Sequence, residues 1–405
     1  MRHTAASAPA SIAVVGALLL AGCAAATSTG SATGDASRAS PGTTSTAKVL
    51  TAPSTQVHSA VVPAAEKPLR AGERLVTVRM PAAYTPSAPT PPGTDDYRCF
   101  LLDPHLVAPS VVTGLTVLPG NPRIVHHVIL FRVPPDQVAR ARQLDAQQPG
   151  QGWTCFGGTG IESEATGLDS APWLGAWAPG GGEQVLSPDL GLPMAAGSRI
   201  IMQVHYNLLA GRSPDRSAAR LRIAADDGTR KTLQTVLLPA PVELPCRLAA
   251  ASNPLCSRPA AMADVVQRFG LAGRIGDALH LICPGVLAGP TQSCTRTVTQ
   301  PSTIRAVAGH MHLLGRSITI TVNQGKPTAR VVLDIPVWDF DNQGSRPVQP
   351  PMTLRPGDTL TVSCTHDQSL RDRLPAFAGQ PERYVVWGEG TTDEMCLGIV
   401  LVTRP

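Results

Sequence analysis

The segment Thr303–His312 reads TIRAVAGHMH, which we interpret as a short β-strand that ends at two histidines. Short runs of this kind recur from Arg74 onward, and clusters of Pro, Gly, Asn and Asp separate them. This spacing is typical of antiparallel β-sandwiches rather than of β-α-β units. The other clear runs are Leu75–Met80, Val128–Val133, Ile200–Leu209, Leu221–Ala225, Thr232–Leu238, Ser317–Val322, Arg330–Ile335, Thr359–Cys364, Arg383–Trp387 and Cys396–Val402.

The composition agrees with many short strands and excludes several classes of protein. Of 405 residues, 37 are Gly and 39 are Pro, which is too much turn-forming sequence for a helical bundle. The net charge is only +5 and no run of Lys and Arg stands out, so we expect no nucleic-acid partner. No apolar stretch reaches the roughly 18 residues that a transmembrane helix needs.

Two helical segments interrupt the strands. Pro135–Gln147 is short, whereas Pro259–Leu281 has apolar residues near helical spacing, is broken by glycines and is flanked by cysteines. A turn at residues 226–228 suggests a boundary between two domains, residues 71–228 and 229–405. The predicted fold is therefore all-β, with two tandem antiparallel β-sandwich (jelly-roll-like) domains and a disulfide-pinned helical insertion in the second.

The amino terminus has the features of a bacterial lipoprotein signal. A basic start and an apolar stretch precede Leu20–Cys23, LAGC, which fits a lipobox at all four positions. We predict a signal peptide at residues 1–22, lipidation of Cys23 and a disordered tether over residues 23–70. An ordinary secretory signal with an incidental Cys is the alternative. Lipidation would hold the exported protein at the outer face of the bacterial cytoplasmic membrane.

The cysteine count supports export. Without Cys23 eight cysteines remain, and an even count in an exported chain indicates four disulfides. No CxxC pair occurs, which argues against a structural zinc knuckle or a thioredoxin-type site. Four of the cysteines fall within residues 246–294 and are expected to pair among themselves, but spacing alone leaves their pairing open.

Histidines form two close groups on the predicted strands. His310 and His312 are two residues apart, so on a strand both side chains project from one face and can bind one metal ion. One buried and one exposed histidine without a metal would give the same pattern. Adjacent residues of a strand point to opposite faces, so His126 and His127 can bind one ion only where the strand starts or bends.

A further histidine, His205, lies on the predicted strand Ile200–Leu209 and faces the same way as Gln203. The combined order of motifs resembles the copper type II, ascorbate-dependent monooxygenases, the peptidylglycine α-hydroxylating and dopamine β-monooxygenases. The resemblance extends from Asp95 to Thr403. Its motifs are HHVILF at residues 126–131, WAPG at 177–180, VHY at 204–206, HMHLLG at 310–315 and DEMC at 393–396.

The resemblance implies two mononuclear copper sites, one in each sandwich. The ligands of the copper that relays electrons, here called the three-His set, correspond to His126, His127 and His205. The ligands of the copper that binds dioxygen, here called the His/Met set, correspond to His310, His312 and Met395. A thioether is a soft ligand that favours Cu(I), whereas zinc sites use Cys, His and carboxylates. Met395 therefore argues against a hydrolytic zinc site.

Other features follow from the same resemblance. Tyr97 matches an aromatic residue near the electron-relaying copper, and two disulfides of the family carry over. For the four clustered cysteines we predict a nested pairing. From the strand pattern, Gln203 is a candidate to support a ligand by a hydrogen bond, and Asp393 and Glu394 could orient ligands or cap a turn. The predicted disulfides are Cys99–Cys155, Cys364–Cys396, Cys246–Cys294 and Cys256–Cys283.

Three positions depart from the peptide-amidating branch of the family. That branch has an Arg two residues before the first His of HxH, where this chain has Ala308. It also has an Asn and a Tyr shortly after the Met-Cys pair, where this chain has Leu397 and Ile399. The family residues anchor a peptide carboxylate, so a peptide with a C-terminal glycine is a poor candidate substrate and a more apolar pocket is expected.

The leading hypothesis is a copper-dependent monooxygenase that hydroxylates an sp³ C–H bond of a small molecule, using dioxygen and a one-electron reductant such as ascorbate. We expect two copper ions, Cu(I)/Cu(II), as cofactors and a monomer with a lipid anchor to the membrane. A surface lipoprotein that binds or delivers copper without turnover is one alternative. A metallohydrolase, which predicts zinc, is another.

Overall fold

The computed structural model of the chain describes residues 66–90, 93–161 and 168–405. The predicted signal peptide, Cys23 and the tether before residue 66 lie outside the described residues. The strands are β1 (Arg74–Arg79), β2 (Asp95–Leu102), β3 (Ser110–Leu118), β4 (Val125–Val133), β5 (Trp153–Thr154), β6 (Trp173–Trp177), β7 (Gln184–Val185), β8 (Leu190–Met194), β9 (Arg199–Asn207), β10 (Ala218–Ala225), β11 (Lys231–Pro239), β12 (Glu243–Leu244), β13 (Thr291–Thr297), β14 (Ser302–His310), β15 (Gly315–Val322), β16 (Arg330–Ile335), β17 (Arg346–Leu354), β18 (Thr359–His366), β19 (Val385–Val386) and β20 (Leu397–Thr403). The α-helices are α1 (Val138–Asp145), α2 (Arg258–Phe269) and α3 (Ile275–Ile282).

The strands pair mainly antiparallel. The largest sheet has the order β1-β10-β3-β8-β11-β20-β14-β17, with β7 paired to β3. A five-stranded sheet has the order β5-β2-β9-β4-β6, a four-stranded sheet the order β13-β18-β15-β16, and β12 pairs with β19. Among these named strands only β8 and β11 run parallel, over two residue pairs. The predicted all-β class with antiparallel sheets is confirmed, whereas the boundary between residues 228 and 229 stays a prediction.

Alternating apolar residues explain why the sheets face one another. In β15, Ile318, Ile320 and Val322 are buried and alternate with more exposed residues, the period of a strand with one face on a core. In β9 both faces are covered. Met202 and its even-numbered neighbours pack into the core between two sheets, while Ile201 packs into a separate cluster on the other face. Gln203 and His205 share that second face, outside the sandwich core.

The helical insertion lies between two disulfides, but the predicted nested pairing is wrong. The structure pairs Cys246 with Cys256 and Cys283 with Cys294, at sequence separations of 10 and 11. Short loops close at a lower entropy cost than long ones, and each bridge here fixes one end of the α2–α3 segment. The other two disulfides are Cys99–Cys155 and Cys364–Cys396, as the resemblance implied. None of the helices in the described ranges is long and apolar enough to cross a bilayer.

Two predicted segments differ from the structure: one strand is shorter, and one helix is interrupted. The strand predicted over Arg383–Trp387 is only the two-residue β19. The residues that follow form a compact turn, in which the backbone N–H of Gly388 donates to the Glu394 carbonyl oxygen and that of Asp393 to the Gly390 carbonyl oxygen. The helix predicted over Pro259–Leu281 is divided into α2 and α3 by a 3₁₀ turn at Gly270–Arg274. The break occurs at the glycines, whose helix propensity is low.

We predict that the insertion carries two local disulfides that non-reducing peptide mapping can identify. After trypsin digestion, Cys283 and Cys294 remain within one peptide, residues 275–296, whereas Cys246 and Cys256 join two neighbouring peptides. Removing Cys283–Cys294 by a double Ser substitution should cost about 3 kcal/mol of unfolding free energy. A cross-link between residues 275–296 and either of the other two peptides would contradict the observed pairing.

Candidate metal centre

A β-bulge brings the adjacent histidines to one site. β4 pairs with β9, and the register shifts between Val125 and His127, which leaves His126 as the extra residue. His127 lies opposite His205 in this pairing. Because adjacent residues of a regular strand point to opposite faces, the bulge supplies the bend that the His-His dipeptide needs.

The three-His set converges through its ring nitrogens. Nδ1 of His205 lies 3.0 Å from Nδ1 of His126 and 3.4 Å from Nδ1 of His127. One ligand atom from each of the three residues lies within 4.8 Å of the other two. Nitrogens that each lie about 2.0 Å from one ion are separated by roughly 3 Å, so this spacing fits a single metal ion.

Asp95 orients His205 from behind. Its Oδ1 accepts a hydrogen bond from Nε2 of His205 at 2.8 Å, which leaves the lone pair on the Nδ1 that faces the other two rings. The same oxygen accepts hydrogen bonds from the backbone N–H and the hydroxyl of Thr391, at 3.0 and 2.5 Å. Burial raises the pKa of Asp95, but the hydrogen bonds from His205 and Thr391 outweigh it and hold this pKa below its usual value.

Tyr97 packs against the same set. Its ring stacks on His205 with a centroid distance of 4.0 Å and an interplanar angle of 17°. Its hydroxyl donates a hydrogen bond to the carbonyl oxygen of Glu389 at 2.9 Å. Tyr97 and Asp95 thus connect the three-His set to residues 389–391, which lie 292 and 296 positions further along the chain.

In the His/Met set His310 lies on a strand, whereas His312 begins the turn of residues 312–315 that follows; residues 310–315 are here called the HxH turn. β14 ends at His310 and His312 lies beyond it, so the predicted strand Thr303–His312 is two residues too long. The ring centroids of His310 and His312 are 5.1 Å apart. Nδ1 of His310 donates to Oε1 of Gln343 at 2.6 Å, which leaves the lone pair of this imidazole on Nε2.

The buried side chain of Glu394 fixes this turn to Met395. Its Oε2 accepts hydrogen bonds from the backbone N–H groups of His312 and Met395, at 3.0 and 3.2 Å, and Oε1 accepts one from Leu314. Nε2 of His366 lies 3.3 Å from both the Met395 carbonyl oxygen and Oε2 of Glu394. The backbone of Met395 and that of the HxH turn are therefore held by one carboxylate.

A second carboxylate connects the Met395 segment to the insertion. Arg268 of α2 donates two hydrogen bonds to Asp393, both at 2.7 Å. Burial raises the pKa of Asp393, but the Arg268 guanidinium outweighs this effect and holds that pKa at about 2. The pair therefore stays charged across the physiological range, and α2 supports the segment that carries Met395.

The two histidine sets lie side by side. The ring centroids of His127 and His310 are 5.6 Å apart, and those of His126 and His312 are 6.5 Å apart. The resemblance implied one site in each sandwich. The structure instead gathers five imidazoles into a single cluster, and Met395 lines the same cavity as His127 and His310.

The protonation of these side chains fits metal binding. Burial lowers the pKa of His126, His127 and His312, and lowers that of His310 to about 3, so all four are neutral near pH 7. Both ring nitrogens of His312 and Nε2 of His126 are buried without a hydrogen-bond partner among the described residues. Neutral imidazoles with free lone pairs, together with a thioether, are a donor set that suits copper.

A cavity of about 670 Å³ opens beside this cluster, which is a volume typical of small-molecule sites. Apolar side chains from both halves of the fold and from α3 form most of its wall. The three positions that depart from the amidating branch all line it: Ala308, Leu397 and Ile399. None of the described residues in its wall is Lys or Arg, and Glu389 contributes the carboxyl group.

The residues that support the histidines differ from those expected from the sequence. Gln203 lines the cavity, but its amide donates to the Cys155 carbonyl oxygen at 2.9 Å and so supports the disulfide-linked loop rather than a histidine. Asp95 is the residue that supports His205 by a hydrogen bond. It lies two residues before Tyr97 on β2, so the two side chains share one face of the strand, and this spacing was the signal available in the sequence. His366 and Glu389 gave no signal, because their neighbours come from distant parts of the chain.

Comparison with known proteins identifies the C-terminal part. Residues 288–401 match the model of the copper type II ascorbate-dependent monooxygenase C-terminal domain, and this segment includes His310, His312 and Met395. The mouse (Mus musculus) protein named DBH-like monooxygenase protein 2 is 33% identical over 94 residues. That alignment covers 23% of this chain and 14% of the mouse protein, so it shows a distant homologue of one part.

Two solved structures cover most of this chain but resemble it only weakly. The PBCV-1 VP54 structure fitted into a reconstruction of the virophage Sputnik covers 84% of this chain and 95% of its own, with a TM-score of 0.27 and 11% identity. The serum fucolectin of striped bass (Morone saxatilis) covers 77% and 84%, with a TM-score of 0.16 and 8% identity. TM-scores this low do not show a shared fold.

We predict that Asp95→Asn weakens copper binding by the three-His set about 10- to 100-fold, because the amide lacks the charge that supports His205. Competition against a copper chelator measures the change. Asp96→Asn is the matched control, since Asp96 instead accepts hydrogen bonds from the Tyr84 hydroxyl and the Ser87 N–H. Equal losses in both variants would contradict the role given to Asp95.

The stability of the metal-free protein should fall as the pH is lowered. When the folded-state pKa of a buried histidine is lowered, its contribution to the free energy of unfolding is fully present above the unfolded-state pKa of about 6.5. Below that pH the contribution of each such histidine falls by up to about 1.4 kcal/mol per pH unit. Four histidines have this sign: His126, His127, His310 and His312. Burial raises the pKa of Glu389 to about 7. Its contribution to stability therefore changes with pH in the opposite direction and offsets that of one histidine.

Urea unfolding of the chelator-treated protein between pH 7 and pH 5.5 measures this dependence. The double variant His310→Asn/His312→Asn removes two of the four groups, so its slope of unfolding free energy against pH should be clearly smaller. A slope that is flat in the unsubstituted protein, or unchanged in the double variant, would show that these imidazoles are not held neutral by the fold.

Proposed function

We propose that this protein is a copper-dependent monooxygenase that hydroxylates an sp³ C–H bond of a small molecule. The overall reaction consumes the substrate, dioxygen, two electrons and two protons, and yields the alcohol and water. The electrons come from a one-electron reductant such as ascorbate. When bound, two copper ions would supply the redox chemistry that dioxygen requires.

The observation that carries the proposal is the convergence of five imidazoles, four of them buried, and a cavity beside them. Three nitrogens at metal-binding distances, the nearby pair His310 and His312, and Met395 on the same cavity as His310 correspond to the donor sets of the family. The match of residues 288–401 to the family's C-terminal domain supports the same conclusion.

The chain's own residues perform the supporting tasks. Asp95 holds the proton of His205 on Nε2, and Tyr97 covers the outer face of that ring. Glu394 fixes the spacing between the HxH turn and Met395 through three backbone N–H groups. The apolar wall excludes water from the space where a C–H bond would react, which protects a reactive site from side reactions.

The four disulfides are typical of a protein outside the cytoplasm. The lipobox-like segment ending at Cys23 supports a more specific proposal, a monomer anchored by lipid at the outer face of the bacterial cytoplasmic membrane. Its partners would be dioxygen, the reductant and a small-molecule substrate, without nucleic acid.

Oxygen uptake tests the proposal. The copper-loaded protein should consume dioxygen in the presence of ascorbate and an apolar test substrate, and should lose this activity when copper is removed. Met395→Ile should lower turnover at least about 100-fold while copper remains on the three-His set, because only the thioether is removed. Met352→Ile, on β17, is the matched control and should retain turnover.

Three outcomes would contradict the proposal. Tight binding of two coppers without any oxygen uptake across a panel of substrates would favour copper storage or delivery. Full activity in Met395→Ile would show that the assigned His/Met set is wrong. Zinc, rather than copper, in the purified protein would instead indicate a metallohydrolase.

A further inference from the structure

The loop between β16 and β17, residues 336–345 and here called the bridging loop, contacts a ligand of each set. The Phe340 ring stacks on His126 of the three-His set, with a centroid distance of 4.4 Å and an interplanar angle of 14°. Gln343, three residues later, accepts the hydrogen bond from Nδ1 of His310 in the His/Met set at 2.6 Å. Two ligands that belong to different sets are therefore held by one short segment.

Hydrogen bonds within the bridging loop connect these two contacts. The side-chain amide of Gln343 donates to the carbonyl oxygen of Phe340 at 2.7 Å. Oδ1 of Asp339 accepts a hydrogen bond from the backbone N–H of Asp341 at 3.0 Å, which fixes the turn around the aromatic ring. A displacement at one contact is therefore passed to the other through packed and hydrogen-bonded groups.

The bridging loop rests on the WAPG motif, which the proposed function leaves without a role. Gly180 of this motif has a φ of +79°, and a Cβ atom added there would lie 2.9 Å from the carbonyl oxygen of Asp341. Both the contact and the φ value require glycine. The motif begins at the end of β6, which pairs with β4, the strand of His126 and His127. Gly180 thus allows the loop to approach the sheet that carries the three-His set.

His126 depends on this loop more than the other ligands of its set do. It is the extra residue of the bulge in β4, its ring is buried, and its Nε2 has no hydrogen-bond partner among the described residues. Asp95 orients His205 by a hydrogen bond, but no carboxylate does the same for His126 within the described ranges. The stacked Phe340 ring supplies a directional contact in its place.

We propose that Phe340 is a positioning residue for His126, and that the bridging loop transmits a change at either ligand set to the other. Linkage requires this effect to be reciprocal, because the same loop contacts both sets. The inference concerns the metal centre of the proposed monooxygenase and rests on that function for its meaning. Its first test, however, needs neither copper nor turnover.

Nuclear magnetic resonance of the metal-free full chain with isotopically labelled histidine tests the contacts. A phenyl ring stacked on an imidazole moves the imidazole resonances upfield, so Phe340→Leu should move those of His126 downfield. Gln343→Leu removes the attachment of the loop to His310 and should shift the same His126 resonances. Val337→Ala, at an exposed position of the same loop, is the matched control and should leave them in place. Unmoved His126 resonances in either loop variant would overturn the inference.

Copper affinity tests the positioning role. Phe340→Leu should weaken copper binding by the three-His set about 3- to 10-fold, which corresponds to the loss of one well-formed aromatic contact. Gly180→Ala should also weaken it, because the added Cβ displaces the loop, whereas Gly182→Ala is the matched control with nothing within 4 Å of its added Cβ. Competition against a chelator measures this set alone in the His312→Asn/Met395→Ile background, which keeps the attachment of the loop.

Two results of the copper titration would overturn the inference. One is an unchanged affinity in Phe340→Leu, which would show that the ring only covers His126. The other is an equal loss in Gly180→Ala and Gly182→Ala, which would show that the seat of the loop has no specific effect on the set.

The loop experiments and oxygen uptake separate the two claims. The expected effects of the loop variants together with no oxygen uptake would leave the inference standing and contradict the monooxygenase proposal. Oxygen uptake in a protein whose His126 resonances and copper affinity do not respond to Phe340→Leu would support the monooxygenase and overturn the inference.

Discussion

The arrangement of the whole centre depends on one buried carboxylate, that of Asp95. A charge in the interior is unfavourable unless it is paired, and the partners of Asp95 are His205 on one side and Thr391 on the other. His205 belongs to the three-His set, and Thr391 lies in the turn that leads to Met395. The hydrogen bonds of Asp95 therefore orient His205 and, at the same time, hold the two histidine sets next to each other.

The segment that carries Met395 is organised by the same principle. Asp393 faces Arg268 of the insertion, and Glu394 faces the backbone N–H groups of the HxH turn. Both carboxylates are used in these contacts, which hold the segment that carries Met395 in place. Because Arg268 lies on α2, the helical insertion is part of the support of the centre as well as part of the cavity wall.

The chemistry of the cavity follows from what its wall lacks. The positions at which the amidating branch anchors an anion are apolar here, and all three border the cavity. An apolar wall strengthens the few polar contacts that remain, because they act in a medium of low dielectric constant. Specificity in this protein is then concentrated in a small number of groups, rather than distributed over a polar surface.

The sequence by itself determined the strand-rich class and pointed to the histidines that the fold brings together, because strand periodicity, turn residues and motif order are local properties. It did not determine the pairing of the four clustered cysteines, the end of β14 at His310 or the roles of Asp95, Glu394 and His366. The roles of Asp95, Glu394 and His366 depend on contacts between residues up to 296 positions apart, which only the folded chain brings together. The disulfides join cysteines only 10 and 11 positions apart, but several such pairings were possible and the folded insertion selects one. The approach of His127 to His310 was likewise decided by the tertiary structure, because it arises from the packing of two separately formed sheets.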